Sequence, residues 1–243
     1  MEFEHLPRAP IQEAVLDVRV RARSDLSAEA FQAAYDRIKA DYPTSHERRQ
    51  FQVKVDPSKK MTGEAVFSVD GYRFEAADGL DVVQFWTGGF SINRLRPYKG
   101  WDHFFPKFER LWPLYLEIAR PISATRIAAR CINVMPAERE GGIDQIFTAP
   151  LEIPAGIEGS LNGFHTSATL TDSAARPPMS VTLQTGLQLA ADGRSAQFLL
   201  DVDAFTLGEF DLSEVISLFA RVHRLRNQAF FRSLTSQAIE RFR

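Results

Sequence analysis

Hydrophobic and polar residues alternate along several stretches of the chain, and this two-residue period predicts half-buried β-strands. In residues 14–20, alanine, leucine and valine alternate with aspartate and arginine, and residues 50–56 repeat the pattern. Asp-Gly pairs between apolar runs favour tight hairpins, because glycine readily adopts the positive φ that such turns require. Residues 64–95 are therefore predicted to form an antiparallel meander, with turns at three glycine-centred pairs: Asp70-Gly71, Asp78-Gly79 and Gly88-Gly89.

After the meander the apolar period changes to three or four residues, which predicts a long amphipathic helix. This helix begins at Trp101 and carries a wide stripe of large side chains, with Trp112 in its middle. We expect the stripe to cover the inner face of the sheet. Pro113 lies well inside the predicted helix and indicates a kink or a break near Arg110, because proline removes one hydrogen bond of the helix.

The order strand, helix, meander, long helix occurs twice along the chain. In the first half a short helix is predicted over residues 27–41. In the second half the predicted strands are residues 124–134, 162–171, 179–190 and 195–203, with Asp192-Gly193 joining the last two. A capping box at residues 211–214 predicts the start of a helix that runs to residue 240. The order predicts an α+β fold of antiparallel sheets with long covering helices, duplicated as residues 1–120 and 121–243 and packed as one unit.

The composition is that of a folded protein that stays in water. Of the 243 residues, 44% are hydrophobic, which is ample for a core. No apolar run approaches the roughly 20 residues of a membrane-spanning helix, and the acidic start predicts no secretory signal. The single cysteine, Cys131, excludes an internal disulfide framework and favours a reducing compartment. We expect a cytoplasmic protein in which Cys131 is a buried structural thiol, because it lies on the apolar side of its strand.

Charge is unevenly distributed, although the formal net charge is only −2. Residues 94–130 carry a surplus of +5, residues 131–211 a deficit of −8 and residues 212–243 a surplus of +4. Either basic helices and acidic loops neutralise each other in the fold, or a basic surface meets an anionic partner. Arginines of the last helix keep nucleic acid among the candidate partners. This partner is less favoured, because the chain is slightly acidic and has no recognisable motif for reading nucleic-acid bases.

Four segments carry a resemblance to a known group of proteins: residues 6–15, 90–101, 126–133 and 227–231. The most specific part is Arg94-Leu95-Arg96-Pro97-Tyr98 followed by Trp101. The chain resembles a sporadically distributed family of uncharacterised bacterial and archaeal proteins of about this length. The resemblance implies a stand-alone intracellular protein, spread as accessory or defence-type genes often are, and brings no activity or catalytic residue. The layout also resembles TATA-binding-protein-like and helix-grip folds, in which a curved antiparallel sheet holds a long helix.

One cluster of arginine and aromatic residues indicates a binding site more strongly than any other pattern in the sequence. Arginine binds carboxylate or phosphate through a planar fork, and an aromatic neighbour can stack on a base or a guanidinium group. The candidate anion-binding residues are Arg94, Arg96, Tyr98, Lys99, Trp101, Arg126 and Arg130. The alternative is that the arginines pair with Asp17, Asp102 or Glu109 and tie strand to helix. Alternation along the strand directs Arg94 inward, so this residue requires either a partner or a cavity.

No pattern of catalytic or metal-ligating residues stands out. The five histidines are scattered without His-x-His or His-x3-His spacing, and phosphate-loop, nucleophile-elbow and dinucleotide motifs are absent from the sequence. We therefore predict no metal, no cofactor and no catalytic residue. The predicted function is a non-catalytic intracellular binding or interaction protein, whose partner is a protein or a small anionic ligand and which could form oligomers. Two alternatives stay open: an enzyme acting on an anionic or nucleotide-like substrate, and a nucleic-acid-binding protein.

Overall fold

One antiparallel sheet of nine strands organises the part of the chain that the structure describes. The computed structural model describes residues 3–55, 63–137, 142–152, 156, 161–189 and 195–243. The strands are β1 (Ile11–Arg21), β2 (Thr44–Val55), β3 (Gly63–Glu75), β4 (Asp81–Trp86), β5 (Gly89–Leu95), β6 (Ser123–Ala137), β7 (Phe164–Asp172), β8 (Met179–Leu189) and β9 (Ala196–Phe210). Their order in the sheet is β2-β3-β4-β5-β1-β6-β9-β8-β7. In each half of the chain the last strand lies beside the first, and β1 pairs with β6 at the centre.

Helices cover one face of this sheet. They are α1 (Gln32–Ile38), α2 (Trp101–Ala119), α3 (Ile143–Ile146), α4 (Val215–Ser233) and α5 (Ser236–Glu240), and 3-10 turns at Ala28–Phe31 and Leu212–Glu214 precede α1 and α4. Side chains such as Leu16, Phe90 and Ile127 alternate into the core beneath them. Trp112 is only 3% exposed and stacks on Tyr115. The predicted α+β class is confirmed, and so is the assignment of the α2 stripe to the core.

Polar and charged side chains occupy the other face of the sheet. Aromatic residues on this face include Phe205, whose ring centre lies 4.9 Å from the guanidinium carbon of Arg126, and Trp86, which is buried between two arginines. The guanidinium carbons of Arg19 and Arg48 lie 5.4 and 4.6 Å from its ring centre. The two cations stack on the ring and shield it from water.

Of the kink or break predicted near Arg110, the break is wrong, because the α2 helix is continuous through both of its prolines. Pro113 cannot donate to the carbonyl group of Glu109, four residues earlier. Both residues are exposed. Water can therefore take the place of the missing donor, and the apolar side of the helix is left undisturbed.

One of the three predicted turns in the meander is wrong. Turns do connect the strands at Asp78-Gly79, where Gly79 has a φ of 67°, and at Thr87-Gly88, one residue before the predicted Gly88-Gly89 pair. Asp70-Gly71, however, lies inside β3, and Gly71 pairs with Trp86 of β4. A Cβ atom at Gly71 would lie 2.1 Å from the carbonyl oxygen of Phe85. This glycine therefore serves the close approach of two strands rather than a reversal of the chain.

The predicted helix bounds are corrected at two places. The helix predicted over residues 27–41 divides into a 3-10 turn and the short α1. The last helix ends at Ser233 rather than near residue 240, because Leu234 is extended and the side chain of Thr235 caps the separate α5. The capping box of Asp211 and Glu214 is confirmed. The turn predicted at Asp192-Gly193 lies outside the described residues.

Candidate functional site

Arg94, the first of the seven predicted anion-binding residues, has a carboxylate partner on the core side of β5. Its Nη1 donates to Oδ2 of Asp81 (3.0 Å) and its Nε donates to the carbonyl oxygen of Pro97 (3.1 Å). The side chain is 12% exposed. Lys107 of α2 contacts the same carboxylate of Asp81. The inward-pointing arginine thus has the partner it required, although sequence reasoning had not singled out Asp81.

Arg126 and Arg130 lie on the polar face of the sheet, away from the helices. They share this face, as their spacing on a strand predicts, and both have carboxylate partners. Arg126 donates from Nη1 to Asp17 (2.8 Å) and from Nη2 to Asp203 (2.6 Å), and Arg130 donates from Nε to Asp201 (2.8 Å). Burial raises the pKa of Asp203, and the positive charge of Arg126 acts in the opposite direction. These arginines tie the central strands β1, β6 and β9 together.

Tyr98, Lys99 and Trp101 line a cavity of about 810 Å³ on the helix side of the sheet. The cavity lies between the start of α2, the middle of α4 and the segment that precedes β1, and Cys131 of β6 contributes to its floor. The four arginines of the predicted set do not line it, and Arg96 is exposed beyond the end of β5. The structure therefore brings three of the seven predicted residues together and separates them from the other four.

Arg226 of α4 places a positive charge at the inner end of this cavity. The residue is only 7% exposed. Its Nη1 donates to Sγ of Cys131 (3.0 Å), and its Nε and Nη2 donate to Oδ1 of Asn227 (3.2 and 2.5 Å). Among the described residues, no aspartate or glutamate forms an ion pair with Arg226, in contrast to Arg94, Arg126 and Arg130. The charge is therefore buried without an anionic partner.

The groups around Arg226 stay neutral near pH 7. Burial raises the pKa of the Cys131 thiol, and Arg226 acts against that rise. Burial likewise raises the pKa of Tyr98 to about 12, again opposed by the charge of Arg226. Neither the thiol nor the phenol therefore supplies a negative charge to the guanidinium group. The 3% exposure of Cys131 confirms the prediction that this thiol is buried.

Two stacked rings, Trp101 and His223, line one side of the cavity. The ring of Trp101 stacks on His223 at 3.8 Å and an angle of 11°, and on Phe105 at 4.5 Å and 13°. Nε2 of His223 also lies 3.2 Å from Nδ2 of Asn227. Burial lowers the pKa of His223 to about 3, and Arg226 contributes to the same shift by repelling a second positive charge. The imidazole is therefore neutral over the physiological pH range.

The mouth of the cavity is polar and aromatic. Lys99 and Arg224 are exposed there, and the rings of Phe3 and Phe231 stack at 5.2 Å. The segment that carries Phe3 is attached to the end of the chain, because Nη2 of Arg243 donates to Glu4 (2.6 Å). This segment thus closes one side of the cavity.

Sequence reasoning did not include Arg226, His223 and Asn227 in the candidate site, although a signal for one of them was present. In the last helix Arg226 stands on the apolar side, in line with Val222 and Phe230. A charged residue at a core-facing position must find a partner or a cavity. His223 and Asn227 show no such signal, because only the packing of α4 against α2 and β6 reveals their role.

Searches for wider similarity and for other kinds of site were negative. No family model matches the chain, and a search of curated proteins found no match. Within the described ranges, no group of three or more histidine, cysteine, aspartate or glutamate residues is placed to hold a metal ion. None of the described helices is both long enough and apolar enough to cross a membrane.

Proposed function

We propose that the protein is a non-catalytic binding protein that holds a small anion on Arg226. The observation that carries this proposal is the buried guanidinium group, which has no carboxylate partner in the described part of the chain. A charge removed from water costs several kcal/mol unless an opposite charge accompanies it. An anion from solution would supply that charge.

The geometry of Arg226 leaves room for such an anion. A guanidinium group has five N–H donors in a planar fork. Three donor contacts are directed at Asn227 and Cys131, and the hydroxyl group of Tyr98 also interacts with the guanidinium group, so one N–H group is left for a ligand. Carboxylate and phosphate oxygens accept strong hydrogen bonds from arginine. The cavity volume of about 810 Å³ is in the range of small-molecule sites.

The start of α2 adds a second favourable feature for an anion. Gly100 is the N-cap of this helix and has a φ of 101°, a conformation that favours glycine. Its position carries no side chain that could accept the free N–H groups of the first turn. Gly100 and Trp101 both line the cavity, so the positive end of the helix dipole is directed at it, and the carboxylate of Asp102 in the same turn, which also lines the cavity, offsets part of this charge.

A binding role is favoured over catalysis by the state of the candidate reactive groups. A buried thiol with a raised pKa is protonated, and the thiolate is the nucleophilic form of cysteine. This applies to Cys131. An imidazole with a pKa of about 3 is a weak base near neutral pH, which applies to His223. We therefore assign both residues a role in ligand binding and no role in catalysis.

The proposal modifies the predicted site. It keeps Tyr98, Lys99 and Trp101 as ligand-binding residues and makes Arg226 the residue that binds the anion. The partners of Arg94 and Arg126 favour a structural role for the predicted arginines. A cytoplasmic accessory or defence-type role remains part of the proposal.

We also propose that the two halves of the chain arose by duplication of a TATA-binding-protein-like unit. The support is the strand order: β5 lies beside β1, β9 lies beside β6, and a long helix follows each of β5 and β9, the last strands of the two halves. On this proposal β1 and β6 are equivalent strands that meet at the centre of the sheet.

Calorimetric titration with acetate, inorganic phosphate and sulfate tests the binding function. The variants are Arg226→Met and, as a matched control, Arg232→Met, because Arg232 is exposed on the same helix and does not line the cavity. Hydrogen bonds to a charged group contribute about 1.5–3 kcal/mol. We expect the parent to bind at least one of these anions. Arg226→Met should bind it at least about tenfold more weakly, and the control should bind it as tightly as the parent does. Equal binding by Arg226→Met, or no binding of any of the three anions to the parent, would overturn the proposal.

A further inference from the structure

The ring stack that ends at His223 indicates a feature of the ligand beyond its charge. Trp101 stacks on both Phe105 and His223. Within the described residues, Trp101 is the ring that contacts His223, and it covers one face of the imidazole. The imidazole also lines the cavity. A planar ring bound in the cavity would extend the stack on the other face of His223.

The anion site lies close to this stacking position. His223 and Arg226 are three residues apart on α4, and side chains at this spacing are neighbours, with Cβ atoms roughly 5–6 Å apart. Asn227 fixes them relative to each other, because its Oδ1 accepts from Arg226 and its Nδ2 contacts Nε2 of His223. A ligand with its anionic group directly on the ring, or one atom away, is the simplest match to both groups.

This short separation distinguishes between classes of aromatic anion. In a nucleotide the sugar separates the base from the phosphate by several bonds, whereas neighbouring side chains on one helix turn favour a ligand whose ring and anionic group are adjacent. In an aromatic carboxylate the planar anion adjoins the ring and matches the arginine fork. The aromatic mouth of the cavity, with Phe230 and Phe231, favours the same kind of ligand.

We propose, on the basis of the anion-binding function, that the ligand is an aromatic carboxylate whose ring stacks on His223 and whose carboxylate binds Arg226. Aromatic residues that flank the mouth exclude water from the bound ring. Trp101 is a positioning residue in this arrangement, since it stacks on the face of the imidazole that lies opposite the bound ligand.

Benzoate and cyclohexanecarboxylate test this inference, because they have the same carbon skeleton and charge but only benzoate is planar. We expect the parent to bind benzoate about fivefold more tightly, the gain of one aromatic contact. His223→Leu should reduce this ratio to near one, and Arg226→Met should weaken both ligands. His165→Leu is the matched control, because His165 is exposed on β7 and does not line the cavity, and it should keep the ratio.

Acetate and AMP complete the titration series. If acetate binds through Arg226 while benzoate and cyclohexanecarboxylate bind equally, the aromatic inference is overturned and the anion-binding function stands. Tighter binding of AMP than of benzoate also overturns it, in favour of a nucleotide. If no anion binds, both proposals fail. Should His223→Leu not fold, nuclear Overhauser effects from benzoate ring protons to the imidazole of His223 in the parent decide the question, and their absence at saturation contradicts the stacking.

Discussion

Replacing Arg226 with methionine is expected to stabilise the ligand-free protein. Methionine has a similar length and no charge, so the cavity floor keeps its shape. The guanidinium group is 7% exposed and has only neutral neighbours in the described structure: Cys131, Tyr98 and the side-chain amide of Asn227. Its removal therefore eliminates a desolvation cost that no ion pair offsets.

The size of the effect follows from two opposing contributions. Burying an ion costs several kcal/mol even after the protein relaxes. Against this, the hydrogen bonds to Asn227 and Cys131 are lost, at about 1 kcal/mol each rather than the roughly 1.5–3 kcal/mol of a strong bond to a charged group, because a thiol is a weak acceptor and Asn227 is partly exposed to water. Asn227 is only partly buried and can bind water instead. We expect the free energy of unfolding to rise by about 1–3 kcal/mol, which for a chain of this size raises Tm by about 3–8 °C.

Urea unfolding followed by circular dichroism measures this difference, in low-salt buffer free of carboxylate, phosphate and sulfate. Arg232→Met serves as the control and should stay within about 0.5 kcal/mol of the parent. Addition of a binding anion at about one hundred times the parent's Kd should stabilise the parent by about 2.7 kcal/mol and Arg226→Met by no more than about 1.4 kcal/mol, because the variant binds at least about tenfold more weakly. A loss of more than about 1 kcal/mol in Arg226→Met without ligand would refute the reasoning, because the guanidinium group would then be a structural element.

Three further predictions concern the core, an ion pair and acid stability. Trp112→Ala should lower the free energy of unfolding by about 3–5 kcal/mol through the cavity it leaves, and an unshifted Tm in a thermal melt would contradict the core assignment. Arg94→Ala should destabilise by roughly 2–3 kcal/mol in urea unfolding, less than a fully broken buried pair because Lys107 stays on Asp81, and a stability equal to the parent's would show that this pair contributes little. Burial lowers the pKa of His223 to about 3 in the folded chain. Below about pH 6.5 the imidazole of His223 therefore binds a proton in the unfolded chain but stays neutral in the folded chain. Stability should therefore fall between pH 7 and pH 5 by about 1–2 kcal/mol more in the parent than in His223→Leu, and equal slopes of stability against pH would contradict a buried neutral imidazole.

The strands could be predicted because their signal is local. Alternation along residues 14–20 and 50–56 reflects which side of a single strand meets the core, and this needs no knowledge of the partner strand. Gly71 shows where such reasoning ends. An Asp-Gly pair has the same appearance in a turn and in a strand that passes close to another, and only the position of the Phe85 backbone distinguishes the two.

The candidate site was harder to predict because it depends on which faces come together. Spacing correctly placed Arg126 and Arg130 on one face of their strand, but it could not tell whether that face meets Trp101 or the opposite side of the sheet. The contact between Arg226 and Cys131 joins residues 95 positions apart. Such contacts follow from the packing of α4 on β6, which no local pattern of the sequence contains.

The central pairing of β1 with β6 has a consequence for the way the molecule would respond to a ligand. These strands join the two halves of the chain from Ile11 opposite Asn133 to Arg21 opposite Ser123. The cavity spans this junction, since Trp101 comes from the first half and Arg226 from the second. A bound molecule would hold both halves at once, so its binding free energy would add to the cohesion between them. The cooperativity with which the two halves unfold would then depend on ligand concentration.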